Sequence, residues 1–414
     1  MPLLPVVTGV VLLLTLLATP SGLAAGQRAV SRADAVRAAL DAGPRLALAR
    51  ADSSAARARE LSARAFPNPT LMASYTKSAP QRHLEVELPL DAPWVRGARV
   101  RAAAALARAA ELRLLSERDA VVVDADTTYT QALAAESRFR LARQTARDAD
   151  SVRAMTSARR DAGDASDLDV DLATLAAGQQ ANAASDDSLA AMSVLLALQS
   201  AMGLPADSVA IVLADTLRPP GDDSAAAVPA SLAARAGSAS PSVAAAEASL
   251  RAAELGVASA RRSVLGLPAI TVGVEEGDPS GDEPGTLPVI GLALPIPLLD
   301  RNRGGIAEAS AERARARAEL ASARLETRRR IVEGTRERDA LRVRVARDAA
   351  LVDRAVRVAA RSLTAYREGA FALPAVLEAR RTAREVQLQY IDDVASLLIV
   401  ESELRALART VPAP

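Results

Sequence analysis

From Ala98 to Ala162 the chain runs 65 residues without a proline or a glycine. The run is dominated by alanine, arginine, leucine and acidic residues, and the first three cost least in a helix interior. One uninterrupted helix over it would be about 98 Å long, some three times the width of a small domain. Such an element cannot be wrapped in an ordinary core and must lie along others of its kind, as in a coiled coil. Aromatics make up only 2% of the 414 residues, which fits helices packed through small side chains.

The long run has a counterpart from Ile306 to Glu368, interrupted only by Gly334. Arg96-Gly97 recurs as Arg303-Gly304, 207 residues on; Gly163 recurs as Gly369 and Pro89 as Pro295, 206 residues on. Three landmarks holding one spacing across half a chain indicate a duplication, with a period far above that of a solenoid. Each half predicts a helix (45–65, then 242–264), two short strands, the long helix, a glycine break and a return helix. The return helix and the pre-strand helix, laid end to end, nearly match the long one. Each half therefore predicts an antiparallel coiled coil about 90–100 Å long.

The organisation expected is a signal peptide over 1–25 and a first repeat over 26–203, with its strand pair at 69–90 and its helical hairpin at 96–202. An inter-repeat segment, 204–240, follows. The second repeat covers 241–409, with a strand pair at 268–297 and a hairpin at 303–408, and a tail covers 410–414. The first residues, "MPLLPVVTGVVLLLTLLATPSGLAAGQRA", pair an apolar run with small residues, the pattern of an export signal cut after Ala24 or Ala25. An uncleaved anchor is the competing reading, but Val6–Ala18 is short of the roughly 20 residues a spanning helix needs.

The strand candidates are "LMASYTK" with "HLEVELPL", and "AITVGVEE" with "TLPVIGLALPI". In "HLEVELPL", Leu84, Val86, Leu88 and Leu90 share one face, opposite Glu85 and Glu87. Such period-two alternation suits a barrel with lipid outside and water inside, and strands of about 9–11 residues suit a tilted crossing. Four strands cannot close a barrel, and open edges in lipid leave backbone groups unpaired. Membrane strands would therefore need several copies of the chain. Soluble hairpins capping a coiled coil are the alternative.

Composition closes off other classes. A formal net charge of +1 lacks the basic excess of a nucleic-acid binder, so "RNRGG" is not read as RNA-binding. Cysteine is absent, which excludes disulfides, thiolate metal sites and a lipidated cysteine. His83 is the only histidine, and "EEGDPSGDEPG" lacks EF-hand spacing. No nucleophile-base pair, phosphate loop or ligand cluster is legible, so neither an enzyme nor a cofactor is expected.

"FPNPTL", the strand pairs, "LPIPLLDRNRGGIAEASAERARA" and the two glycine turns, in this order and spacing, resemble the TolC-type outer membrane efflux protein (outer membrane factor) family. The "DRNRG" junction is similar to its heavy-metal and cation efflux branch. The resemblance implies a mainly α fold with a small β part: duplicated long coiled-coil hairpins plus four membrane strands per protomer. A homotrimer would complete a shared β-barrel in outer membrane lipid and an α-helical tunnel across the periplasm. It further implies a passive exit duct, with a periplasmic adaptor (membrane fusion) protein and an inner membrane pump as partners and no nucleic acid. A periplasmic adaptor or coiled-coil scaffold is the alternative function, against which the duplication argues.

The resemblance also assigns residues. Arg159, Arg160, Gly163, Asp164, Asp167, Asp169, Tyr366, Arg367 and Gly369 would form the periplasmic tip, its aperture and its adaptor contact. Ala375 stands where the second turn would repeat Asp169. A solvated turn with aspartate as helix cap is the plain reading of the same residues. Pro89, Trp94, Gly97, Pro295, Pro297, Asp300, Asn302 and Gly304 would form the barrel-to-tunnel junctions. There prolines would end strand pairing, Asp300 or Asn302 would cap the helix, glycines would allow the change in direction, and Trp94 would sit at the lipid interface or, on the plain reading, fill a turn.

Overall fold

The structure, a computed structural model, describes residues 28–77, 80–206, 211–221, 240–264, 266–276 and 285–408. The expected signal peptide, the tail at 410–414, most of the inter-repeat segment and most of the acidic loop between the last two strands lie outside the described residues.

The chain is mostly helix. It opens with β1 (Arg28–Val30), α1 (Arg32–Ala42) and α2 (Pro44–Arg64), then β2 (Thr70–Tyr75) and β3 (Arg82–Pro89). The long α3 (Pro93–Asp161) returns through α4 (Asp167–Ala201) to β4 (Ile211–Leu213). The second half repeats the order with α5 (Pro241–Arg262), β5 (Ala269–Glu276), β6 (Thr286–Ala293), α6 (Arg303–Arg367) and α7 (Leu373–Leu407). α3, with 69 residues, and α6, with 65, are about 104 and 98 Å long. α2 and α4 both pack along α3, and α5 and α7 both pack along α6.

The helices meet through small residues. Ala98, Ala102, Ala107, Ala109, Ala125, Ala132, Ala142 and Ala149 are all buried on α3, letting neighbouring helices approach closely. Gly334, expected to interrupt α6, does not: Leu404 of α7 lies 3.1 Å from where its Cβ would be, so the glycine makes room for a neighbour. Larger side chains gather at mid-length, where Tyr129, Leu133, Leu198 and Met202 join Val30, Ile211 and Leu213 in one core.

Three elements there went unpredicted: β1, α1 and β4. α1 opens on a capping box in which Ser31 and Asp34 satisfy each other's backbone, and β1 pairs in parallel with β4. Their anchor is Tyr129, wholly buried, whose hydroxyl lies 2.8 Å from Asp215 Oδ2 and 2.9 Å from the Val30 carbonyl. Burial, then the bond to Asp215, pushes this phenol well above its usual range. Arg32 completes the belt through Asp126 at 3.1 Å and Thr130 at 3.1 Å.

The sheet order is β2-β3-β5-β6, antiparallel throughout, so the two halves join at β3-β5. The strands are 6 to 8 residues long, shorter than the expected 9–11. β6 ends before Pro295, and β3 ends at Pro89.

Candidate functional site

The sheet carries two chemically different faces. Leu71, Val86, Val272 and Ile290 stand in one register row, and Leu88, Ile270 and Leu292 in another. Between these rows, on the opposite face, run Thr70, Glu87, Thr271 and Gly291, then Met72, Glu85, Gly273 and Val289. The apolar face is the open one: Ile290 is 81% exposed and Leu292 65%. Along β3 the acidic face is the more covered of the two. The sheet therefore curls with its acidic face inward, and it leaves β2 and β6 as unpaired edges among the described residues. His83 lies on the inner face, 3.4 Å from Glu275.

The strand-to-helix junctions differ from each other. In the second half the left-handed residue is Asn302 (φ 54°), not a glycine. This corrects three expectations. Asn302 is the N-cap residue but its side chain makes no cap; its Nδ2 donates instead to the Ala260 carbonyl (2.9 Å) and Ser263 Oγ (3.0 Å). Asp300 accepts from the Asn302 amide at 2.8 Å, holding the bend rather than the helix end. Gly97 and Gly304 lie inside α3 and α6 without positive φ, so neither makes the turn.

In the first half the helix starts early, at Pro93, with proline rather than a side chain serving the first turn. Trp94 is its second residue and 58% exposed. The junction is held by Asp91, whose side chain is wholly buried against Arg99 at 2.7 Å and Arg96 at 3.4 Å. Those arginines reach on to the last carbonyls of α2, Arg64 at 2.8 Å and Ala63 at 3.1 Å, and Arg96 stacks 4.4 Å over Phe66. Sequence reasoning missed this cluster; its signal was the lone acid in "LPLDAPW" beside two arginines. Pro297, half-buried, lies in the stretch between β6 and α6.

At the far end α3 and α6 close identically. Gly163 (φ 87°) and Gly369 (φ 76°) take the left-handed conformation that lets the next amide bond back into the last turn, Asp164 to Arg159 at 2.7 Å and Ala370 to Ala365 at 2.8 Å. The return helices start differently. Ser166 and Asp169 form a capping box on α4, with Asp169 Oδ2 accepting from the Ser166 amide at 3.1 Å. Asp169 is thus committed to the helix end. α7 has no side-chain cap and relies on Pro374, so Ala375 lacks a carboxylate without cost.

The expected tip residues separate into three groups. Tyr366 is not an exposed contact: it is 4% exposed and packs with Val152, Ala173, Leu373 and Val376, its hydroxyl 3.1 Å from Thr156. Arg159 joins the two turns, donating to the Tyr366 carbonyl and stacking 4.7 Å over its ring. Asp164, Asp167 and Arg367 are exposed. Arg160 holds Asp161 at 2.6 Å and faces Asp167 at 3.8 Å.

Among the described residues no helix is long and apolar enough to cross a membrane, and no three acidic or histidine side chains are placed to hold a metal.

Residues 232–408 match the family model described as outer membrane efflux protein. Comparison with curated proteins gave no significant match. Among solved structures the chain is similar to a membrane protein from Pseudomonas aeruginosa, at 24% identity over 91% of this chain and 93% of that one, with a TM-score of 0.75. It is similar to the outer membrane protein VceC from Vibrio cholerae, at 17% identity over 91% and 96%, TM-score 0.72. The Campylobacter jejuni CmeC outer membrane channel is likewise similar, at 15% identity over 91% and 85%, TM-score 0.73. At these identities the likeness is one of fold.

Proposed function

We propose, from the match of residues 232–408 to the outer membrane efflux protein family model, that the chain is the passive outer membrane exit duct of a tripartite efflux or secretion system. The observation that carries this reading is the sheet: apolar on its open face, acidic on its curled inner face, and unpaired at both edges among the described residues. Bare edges are costly in lipid unless other copies pair with them. Three copies would join β6 of one to β2 of the next and close a twelve-strand barrel. The helices of about 100 Å then extend the lumen into the periplasm, where the turns at Gly163 and Gly369 meet an adaptor and, through it, an inner membrane pump.

A duct of this kind needs no catalytic group and no cofactor; partners impose its opening. The tip is the part that can respond, because its turns bear the exposed charges of Asp164, Asp167 and Arg367. Inner-face Glu85, Glu87 and Glu275 favour cations over anions, in keeping with the junction's similarity to the heavy-metal and cation branch. A soluble scaffold is disfavoured, since it would hold a row of exposed valine, isoleucine and leucine against water.

Purified chain in planar bilayers should form ion-conducting pores, and native mass measurement in detergent should give three subunits. A monodisperse monomer without conductance would refute the duct.

A further inference from the structure

Where the strands give way to helices, charge stops balancing. Over the whole chain 51 lysines and arginines meet 50 acids. The two junctions, residues 60–66 with 91–101 and residues 260–268 with 294–305, hold eight arginines and three acids. At the opposite end of the sheet the sign reverses: residues 75–83 and 275–286 hold one lysine, one arginine and five acids. Contacts put both junctions at one level. Arg262 of α5 donates to the Trp94 carbonyl of α3 at 3.4 Å, Asn302 reaches the end of α5, and Arg99 reaches the end of α2.

The three acids are already engaged. Glu60 accepts from Arg64 at 2.5 Å, Asp91 from Arg99 at 2.7 Å, and Asp300 from the Asn302 amide. Arg101, Arg261, Arg301 and Arg303 are exposed and make neither a hydrogen bond nor an ion pair among the described residues. Helix ends explain only one of them. Arg261 suits the last turn of α5, but Arg301 and Arg303 stand at the start of α6, where cations are disfavoured and the first turn holds no acid. Four unpaired cations at one level leave an anion of another molecule as their partner.

Apolar surface adjoins them. Beyond β6 the alternation of the strand continues through Leu294, Ile296 and Leu298, the last two 72% and 75% exposed, and Leu299 is fully exposed. Trp94 and Phe66 are open at the other junction. Arginine beside exposed leucine and tryptophan suits a lipid headgroup level, where indole rings settle and long basic side chains reach out to phosphate. A soluble polyanion would complement the arginines and leave the leucines against water.

We propose that Arg101, Arg261, Arg301 and Arg303 bind the phosphates of anionic phospholipid in the leaflet on the tunnel side, with Trp94, Leu298 and Leu299 beside the acyl chains. Such a site presupposes the proposed membrane duct and adds the class of lipid that the duct holds. A guanidinium grips a phosphate through two parallel N–H donors, and each arginine near an anionic surface strengthens binding about fivefold.

Full-length protein in non-ionic detergent, titrated with phosphatidylglycerol or with phosphatidylcholine, should retain the anionic lipid and release the zwitterionic one in native mass spectra. That comparison needs no variant to fold. Arg301→Gln with Arg303→Gln should weaken phosphatidylglycerol retention about 25-fold. Arg354→Gln with Arg361→Gln, which removes the same charge from exposed positions nearer the tip, should leave retention unchanged. Subunit mass and bilayer conductance of the same samples separate the lipid site from the duct. Equal retention of both lipids by a conducting wild-type trimer overturns the site and leaves the duct. Undiminished retention in Arg301→Gln with Arg303→Gln, or an equal loss in both double variants, also overturns the site. A monomer that neither conducts nor retains lipid overturns both.

Discussion

Arg159, near the end of α3, donates its guanidinium to the backbone carbonyl of Tyr366, near the end of α6, and covers the tyrosine ring at 4.7 Å. One side chain thus ties the two helix turns of the protomer, with Thr156 holding the Tyr366 hydroxyl beneath it.

Arg159→Ala removes a charge-assisted hydrogen bond and a cation-π contact, together about 2–4 kcal/mol of local stabilisation. Hydrogen exchange should accelerate around residues 364–376 while the α3-α4 turn changes less. Single-channel conductance should rise. Arg159→Lys should not restore the closed level, because an ammonium lacks the planar fork that serves ring and carbonyl together. Unchanged exchange at the second turn would mean that this tie bears no load.

The tip aspartates should not behave alike. Asp167 has a side chain 90% exposed, so Asp167→Ala should reduce cation selectivity without moving the melting temperature. Asp169→Ala breaks the capping box and should cost about 0.5–2 kcal/mol. If Asp169→Ala leaves stability untouched, the cap is formed but unimportant.

A buried carboxyl pair predicts a pH dependence. Asp393 of α7 is 3% exposed, accepts from Arg344 at 2.7 Å and Gln389 at 3.0 Å through Oδ1, and leaves Oδ2 without a donor. Burial, then the neighbouring Asp348 carboxyl, raises its pKa above the usual carboxylate value. An acid raised on folding binds its proton more tightly in the folded state. Its contribution is therefore favourable at low pH and is lost as pH rises from about 4 through the folded value. Asp348→Asn supplies a donor and removes a charge. It should stabilise the protein at pH 7 by about 1 kcal/mol and flatten that slope in thermal melts; a destabilised Asp348→Asn would show that Arg347 needs the carboxylate more.

Much of the fold was legible because its signals are long or repeated. The helices announce themselves by the absence of proline and glycine, and the turns by Gly163 and Gly369, whose left-handed geometry is local. Alternation in β3 located the sheet and its two faces. What escaped depended on contacts far apart in sequence. The β1-β4 pair joins segments about 180 residues apart and is too short to show periodicity. Asp91 reads as a turn residue until Arg96 and Arg99 fold over it. Tyr366 looked like a surface aromatic beside charges, and its burial depends on Val152 and Val376 from other helices. At the second junction the "RNRGG" glycines drew the turn, yet Asn302 takes it because its amide finds two acceptors on the α5 end.

The sheet provides the sharpest test of where lipid lies. Val86 and Glu87 are neighbours on β3, in the middle of the sheet, and their side chains fall on opposite faces. Val86 stands with Leu71, Val272 and Ile290; Glu87 stands with Thr70, Thr271 and Gly291. A lysine facing hydrocarbon near the midplane costs about 2–4 kcal/mol, and assembly from several copies would multiply the cost. Val86→Lys should therefore be lost from the outer membrane fraction and fail to give stable oligomers. Glu87→Lys puts the same charge one residue away, facing water, and should insert normally while shifting pore selectivity towards anions. Equal insertion of the two variants would mean that neither face meets lipid, and the sheet would then be a soluble cap on the coiled coil.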